Sequence, residues 1–280
     1  MSLALSSLAI LLLLLFLIFE LVIPSLWHLS SQAARSVMAR LSNTGWYTAR
    51  AQRLHPVLPY LPVAAILILG LVISAFVGDA FVDLVELLRA ESPILMRADR
   101  QAYEFAHETR AEGATALFTF FTVIGTPVGL GAIVVAAAAI LVWRKYPRWA
   151  MYLVVTALGG ALLNVALKHY VARERPDLSA ALRHASGFSF PSGHAMGATV
   201  IFGALGYLAA RGIRDPRKRS LIFAILASLI AAVCASRIYL GVHWISDIGA
   251  GVSAGVVWLA TTTLAYETVR RIWRIRGRVG

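Results

Sequence analysis

Seven runs of about 20 mainly apolar residues divide this 280-residue chain. A helix of that length crosses the hydrocarbon of a bilayer with its backbone hydrogen bonds satisfied internally. The runs fall at about 3–23, 57–78, 116–143, 149–167, 191–210, 220–240 and 247–267. The first is nearly saturated, from Ile10 to Phe16, and the third holds the stretch Ala136–Ile140. The fifth and seventh are interleaved with Gly, Ser and Thr, small residues that let membrane helices approach closely. One such run also fits a buried helix of a soluble domain; seven in one chain describe an all-α, polytopic membrane helical bundle. Composition agrees, with 59% hydrophobic and 14% charged residues and a mean hydropathy of +0.74. A soluble domain carries about 45–50% apolar and about 25% charged residues, and a disordered chain far fewer apolar ones.

The first run lacks the basic start and small-residue cleavage site of a signal peptide, so it is expected to remain as a transmembrane helix. Residues 1–56 then form that helix and a cytoplasmic linker, ahead of a six-helix unit from residue 57 to 280. A single cysteine, Cys234, excludes an intramolecular disulfide and a cysteine zinc site.

Lys and Arg in short loops remain cytoplasmic, and alternate loops are rich in them. Residues 25–56 carry Arg35, Arg40, Arg50 and Arg53 with no acid; 144–148 carry three basic residues, 211–219 five and the tail 270–278 five. The opposite side holds residues 79–114, with eight of the 14 acids. The first terminus is therefore expected outside and the last inside. The net charge of +12 reads as a topology signal rather than a nucleic-acid surface. Within 79–114, Phe81, Leu84, Val85 and Leu88 recur at helical spacing, which suggests an amphipathic helix lying at the interface. Ser92-Pro93 should break it, and a second helix is expected from about Ala98 to Glu112, its acids solvated.

Three polar clusters fall at outer helix ends in this topology. They are Lys168 to Pro176, then Pro191-Ser192-Gly193-His194, then Ser236-Arg237, His243 and Asp247. Singly each is ordinary, since a helix-end Lys or Arg snorkels to the interface and Pro-Ser-Gly opens many helices. Together they describe an anion site. Lys168, Arg175 and Arg237 repel one another unless an anion lies between them, and Arg forks and a Lys charge suit phosphate oxygens. Ser192 and Gly193 stand at a helix start, where backbone N–H groups favour an anion. His243 and Asp247 are four apart; on a helix the carboxylate can hold the imidazole and fix its tautomer. An imidazole so held can act as a nucleophile, and His194 can protonate a departing oxygen. A two-His, one-carboxylate iron site from His194, His243 and Asp247 is the rival chemistry, and a transporter or lipid-binding module the rival class. Ser236 is given no role, and His169, Arg173, Arg183 and His184 are read as surface residues.

The pattern Lys168-x6-Arg175-Pro176, Pro191-Ser192-Gly193-His194 and Ser236-Arg237-x5-His243-x3-Asp247 resembles the type-2 phosphatidic acid phosphatase superfamily. The resemblance covers residues 168–247 directly and, through the helix pattern, about 57 to 267; residues 1–56 lie outside it. It implies a bacterial integral membrane lipid phosphatase with its site at the periplasmic or extracellular face and no metal cofactor. It also implies roles: His243 as nucleophile, Asp247 orienting it, His194 as general acid, and Lys168, Arg175, Ser192, Gly193 and Arg237 as phosphate ligands. Family substrates include phosphatidic acid, phosphatidylglycerol phosphate and polyprenyl diphosphates such as undecaprenyl diphosphate. The alternative is a phosphotransferase that passes the phosphate to another lipid or a sugar. The expected partners are a lipid phosphate and the bilayer, with no nucleic acid. Vanadate, which adopts the pentacoordinate shape of phosphoryl transfer, should inhibit phosphate release at millimolar concentration; an insensitive enzyme would contradict the expected site.

Overall fold

The computed structural model describes residues 61–177 and 181–279, with Ser36 and Ser179; the first apolar run lies outside this range. Among the described residues the chain is helical throughout, in the order α1 (Leu61–Arg89), α2 (Pro93–Glu108), α3 (Glu112–Ile124), α4 (Pro127–Trp143), α5 (Pro147–Val171), α6 (Gly193–Gly212), α7 (Pro216–Tyr239) and α8 (Ile245–Val279). Four of these helices are long and apolar enough to cross a membrane, or five when α3 and α4 count as one bent span. The protein is an integral membrane, all-helical protein. Contacts divide it into two units, residues 74–262 and residues 1–73 with 263–280.

Proline sets many of the boundaries. Pro93, Pro127, Pro147 and Pro216 each stand in the first turn of a helix, where a missing N–H costs nothing and the fixed φ suits the helix. The third apolar run, expected as one helix over 116–143, is instead broken and bent by 56° between α3 and α4. Thr126 explains the break. Its hydroxyl donates to Val123 O and accepts from Gly129 N, capping α4 just before Pro127. At Gly129 a Cβ would lie 2.4 Å from Val123 O, so only glycine lets the two backbones fold this closely.

The amphipathic helix expected at the interface is not separate either. It is the second half of α1, which runs on unbroken to Arg89. Its apolar face packs inward, with Phe81, Leu84, Val85 and Leu88 meeting Phe190, Ala250 and Val171. Ser92-Pro93 does end it, but the next helix begins at Pro93, earlier than the expected Ala98, because proline can open a helix as well as break one.

Helix α6 is the enclosed centre, with residues such as Ala195, Met196, Ala198, Val200 and Ala204 buried. Helix α5 carries an outward stripe of Met151, Val155, Leu158, Leu162 and Val165, each more than half exposed. In water such a patch would be an association surface; here lipid covers it. Helices α6 and α8 meet through glycines. A Cβ on Gly251 would lie 2.7 Å from Ser192 O and 3.2 Å from Met196 N, and one on Gly255 3.1 Å from Met196 O. These are backbone atoms, so a larger residue must push the helices apart. Gly251→Val should therefore lower the thermal unfolding midpoint in detergent, by the equivalent of about 1–3 kcal/mol as overpacking costs. Gly249→Ala, with nothing within 4 Å of its Cβ, should leave the midpoint near the parent value.

Candidate active site

One end of the 74–262 unit gathers every sequence-predicted site residue. Lys168 comes from the last turn of α5 and Arg175 from the segment after it. Ser192 caps α6, and Gly193 and His194 open it. Arg237 comes from the last turn of α7, His243 from the turn that follows, and Asp247 from the first turn of α8. A backbone bond from Ser192 N to Asp247 O, 3.0 Å long, ties the start of α6 to the start of α8. Gly241, with φ of 73°, turns the chain out of α7 toward His243, a conformation that favours glycine.

Two of the cations are held by main-chain carbonyls and the third by a hydroxyl. Lys168 Nζ donates to Phe188 O at 2.6 Å and to Ser189 O at 3.3 Å. Arg175 donates to Gly187 O, Ser186 O, Phe188 O and Val242 O at 2.8–3.3 Å. Arg237 donates to the buried Thr122 hydroxyl of α3. Neutral carbonyls orient the cations without cancelling their charge, so their field remains available to an anion. Lys168 reaches the opening turn of α6, its Cε 3.9 Å from where a Cβ on Gly193 would stand. Burial pulls the Arg175 guanidinium below its ordinary value, against the field of Asp247.

Three buried polar atoms in this cluster have no hydrogen-bond partner: Ser192 Oγ, His194 Nε2 and Arg237 Nε. Buried polar groups are almost always paired, and a tetrahedral oxyanion supplies acceptors for a hydroxyl, an imidazole N–H and a guanidinium at once. The N–H groups of the first turn of α6 have no intrahelical partner either and add a positive end-on dipole.

His243 is the other half of the site. Its Nδ1 lies 3.2 Å from Asp247 Oδ2, and its Nε2 lies 3.3 Å from an Arg175 nitrogen. The guanidinium only donates, so Nε2 presents its lone pair and Nδ1 carries the proton shared with Asp247. Burial pushes this imidazole down to about 4, against the hydrogen bond and charge of Asp247. It is therefore neutral at physiological pH, the state that can attack an electrophile. Among the described residues no group of three or more His, Cys, Asp or Glu is arranged to hold a metal ion.

Arg173 corrects the sequence reading. Expected at the surface, its side chain is only 10% exposed and bonds Asp247 Oδ1, Ser246 Oγ and Asp99 Oδ2, each at 2.7 Å. Asp99, counted among solvated acids, is 2% exposed. His169, Arg183 and His184 are exposed as expected. Asp99 carried no signal among the eight acids of 79–114. Arg173 carried a weak one, as a third cation within the Lys168–Arg175 stretch.

Comparison with known proteins points the same way. The family model of the PAP2 superfamily matches residues 149–271. Phosphatidylglycerophosphatase B of Bacillus subtilis (strain 168) is 37% identical over 130 residues, 46% of this chain and 63% of that one. Phosphatidylglycerophosphatase B of Escherichia coli (strain K12) is 41% identical over 87 residues, 31% of each chain. The chain thus spans less than two thirds of these relatives. The crystal structure of a transmembrane PAP2 type phosphatidylglycerolphosphate phosphatase from Bacillus subtilis superposes with a TM-score of 0.63 at 26% identity, covering 68% of this chain and 94% of that one.

An oxyanion bound among these cations should stabilise the fold, by about 2.7 kcal/mol at a hundred times its dissociation constant. Inorganic phosphate should accordingly raise the thermal midpoint of the detergent-solubilised protein, and Arg237→Met should weaken or remove that rise.

Proposed function

Because residues 149–271 match the family model of the PAP2 superfamily, we propose that this protein is a membrane lipid phosphatase that works through a phosphohistidine. One observation carries the reading. A buried, neutral imidazole, His243, points a lone pair beside Arg175 while Asp247 holds its other nitrogen, next to three buried polar atoms that lack partners.

The chemistry runs in two displacements. The substrate phosphate enters with its oxygens on Lys168, Arg175, Arg237, Ser192 Oγ and the N–H groups that open α6 at Gly193. His243 Nε2 attacks phosphorus, an N–P bond forms, and the P–O bond to the lipid breaks. His194 gives its proton to the departing oxygen. Asp247 keeps the proton on Nδ1 in place and offsets the positive charge that develops on the ring. Water then attacks the phosphohistidine, His194 takes back a proton, the N–P bond breaks and inorganic phosphate leaves. Phosphoryl transfer asks mainly for positioning and charge stabilisation, and these side chains offer both without a metal in any step.

The substrate class follows from the setting. The site lies at the end of the bundle away from the basic loops 144–148 and 211–219, which the charge rule keeps cytoplasmic. It therefore opens to the outer, periplasmic side of a bacterial inner membrane, at headgroup level. A phosphomonoester or diphosphate on a lipid fits, and phosphatidylglycerol phosphate is the first candidate because the curated relatives are phosphatidylglycerophosphatases; phosphatidic acid and polyprenyl diphosphates follow. Residues 57–280 act as the phosphatase unit, with 1–56 as an addition outside it.

The test is phosphate release by purified protein from a panel of lipid phosphates, with EDTA present throughout. His243→Ala and Asp247→Asn should each lose at least about 10³-fold in kcat, the scale of removing a nucleophile or its orienting carboxylate, while both variants still insert and elute as folded protein. Turnover retained in His243→Ala, or lost to EDTA in the parent, would overturn the mechanism.

A further inference from the structure

Directly behind the His243–Asp247 pair lies a second set of charges that the mechanism above does not use. It begins where α5 ends. Ala172 takes a left-handed conformation with φ of 53°, which swings Arg173 off the helix axis, and Ser189 N fixes the Arg173 backbone by donating to its carbonyl at 2.8 Å. The Arg173 guanidinium then forks between two carboxylates. One nitrogen donates to Asp247 Oδ1 and to Ser246 Oγ, the other to Asp99 Oδ2, all at 2.7 Å. Asp99 reaches in from α2 and is itself fully engaged. Its Oδ1 accepts from Ser246 N at 2.9 Å and its Oδ2 accepts from Ser246 Oγ at 2.7 Å. The Trp244 ring lies 5.6 Å from the guanidinium carbon, and Tyr103 of α2 packs on that ring at 5.8 Å.

The Asp247 carboxylate is thus gripped from both sides. Oδ2 receives His243 Nδ1 and Trp244 N, and Oδ1 receives Arg173. Side-chain exposures of 10%, 3% and 0% for Arg173, Asp99 and Asp247 mean that water does little to screen these charges. A planar guanidinium can address two carboxylates at once, which an ammonium cannot.

We propose that Arg173 and Asp99 are positioning residues of the phosphoryl-transfer centre: Arg173 clamps Asp247 and moderates the charge that His243 feels, and Asp99 clamps Arg173. This rests on the reading of His243 as the nucleophile. It makes α2, a helix outside every motif, part of the active centre.

The charge order gives the two residues opposite effects on acidity. Without the Arg173 charge, Asp247 acts on the imidazole uncompensated and favours the imidazolium, so the attacking form appears only at higher pH. Without the Asp99 charge, Arg173 is left less compensated and disfavours the imidazolium, so the attacking form persists to lower pH. The remaining groups that face His243 are Lys168 of α5, Arg175 of the following segment, His194 of α6 and Arg237 of α7, with Asp247 of α8. They are the same in every variant, as is the ionisation of the substrate, and they cancel in the comparison.

The experiment measures kcat and KM against pH for the full-length parent, Arg173→Gln, Arg173→Lys, Asp99→Asn and His243→Ala on one lipid phosphate. Arg173→Gln should lose about 10–100-fold in kcat, the scale of removing a group that orients a reacting side chain, with KM near the parent value. Its acid limb should move to higher pH, and that of Asp99→Asn to lower pH. Arg173→Lys should recover part of kcat and return the limb toward the parent position. A purely architectural role would lower the yield of folded enzyme and leave both limbs where they are. Unchanged limbs and kcat, or limbs that move the same way in both variants, would overturn the proposal. Should Arg173→Gln not accumulate, Asp99→Asn decides alone: a limb at lower pH supports the clamp and an unmoved limb refutes it. His243→Ala separates the two levels. If it is inactive while the Arg173 and Asp99 variants behave as the parent, only the clamp is wrong; if it is active, the nucleophile assignment itself has failed.

Discussion

A cation at the edge of a bilayer needs a partner, because an uncompensated buried charge costs several kcal/mol. The site end of this bundle is organised around meeting that need for four cations without spending all of their charge. Arg173 is neutralised by carboxylates. Lys168, Arg175 and Arg237 are not; carbonyl oxygens of residues 186–189 and 242 and the Thr122 hydroxyl hold them. The two solutions do different work. Carboxylate pairing locks a position, whereas carbonyl pairing fixes direction and leaves the field pointing at whatever anion enters. That preorganisation spares the transition state the reorganisation of solvent dipoles. The irregular segment between α5 and α6 therefore supplies acceptors that no helix can spare, since helical carbonyls are already engaged.

The site also depends on helices that approach closely at one level. Ser192 N bonds Asp247 O, and the α6–α8 contact beneath it tolerates no side chain at Gly251 or Gly255. The bend between α3 and α4 serves the same end. Val233 of α7 and His194 would meet a Cβ on Gly125 at 2.5 and 3.0 Å, so the break lets α3 reach across to offer Thr122 to Arg237. Phe190, buried between Phe81, Val85 and Ala250, anchors the loop end just before the α6 cap. Small residues and a broken helix thus bring groups from four chain segments to one end of the bundle.

Much of this is legible in the sequence. The apolar runs at 149–167, 191–210, 220–240 and 247–267 locate α5 to α8, since length and hydropathy decide what can span a membrane. Lys168, Arg175, Ser192, His194, Arg237, His243 and Asp247 were legible as a set because cations at the outer ends, where topology does not call for them, require a chemical reason. The bend at Thr126 was hidden, because a proline inside an apolar run tolerates a kinked span as well as a new helix start. The inward face of α1 is legible as apolar but not as buried against Phe190 and Ala250, for periodicity reports that a face is apolar and not what covers it. Asp99 was illegible in principle. A carboxylate that pairs with a guanidinium 74 positions away looks the same in sequence as its seven solvated neighbours, and only the tertiary fold distinguishes them.

The balance of charge at His243 links these observations. Asp247 alone would favour the protonated ring; the surrounding cations and burial alone would favour the neutral ring but leave it free to rotate. Joined, they hold a neutral imidazole in one tautomer. Arg175 contributes to both halves, since one of its nitrogens lies 3.3 Å from Nε2 while the others are braced on carbonyls. On the proposed mechanism a phosphate that enters takes over that guanidinium as its own ligand and leaves the Nε2 lone pair facing phosphorus. In that mechanism substrate binding and exposure of the nucleophile are one event, and an arginine suits this position better than a lysine because it can brace, shield and bind with separate nitrogens of one rigid plane.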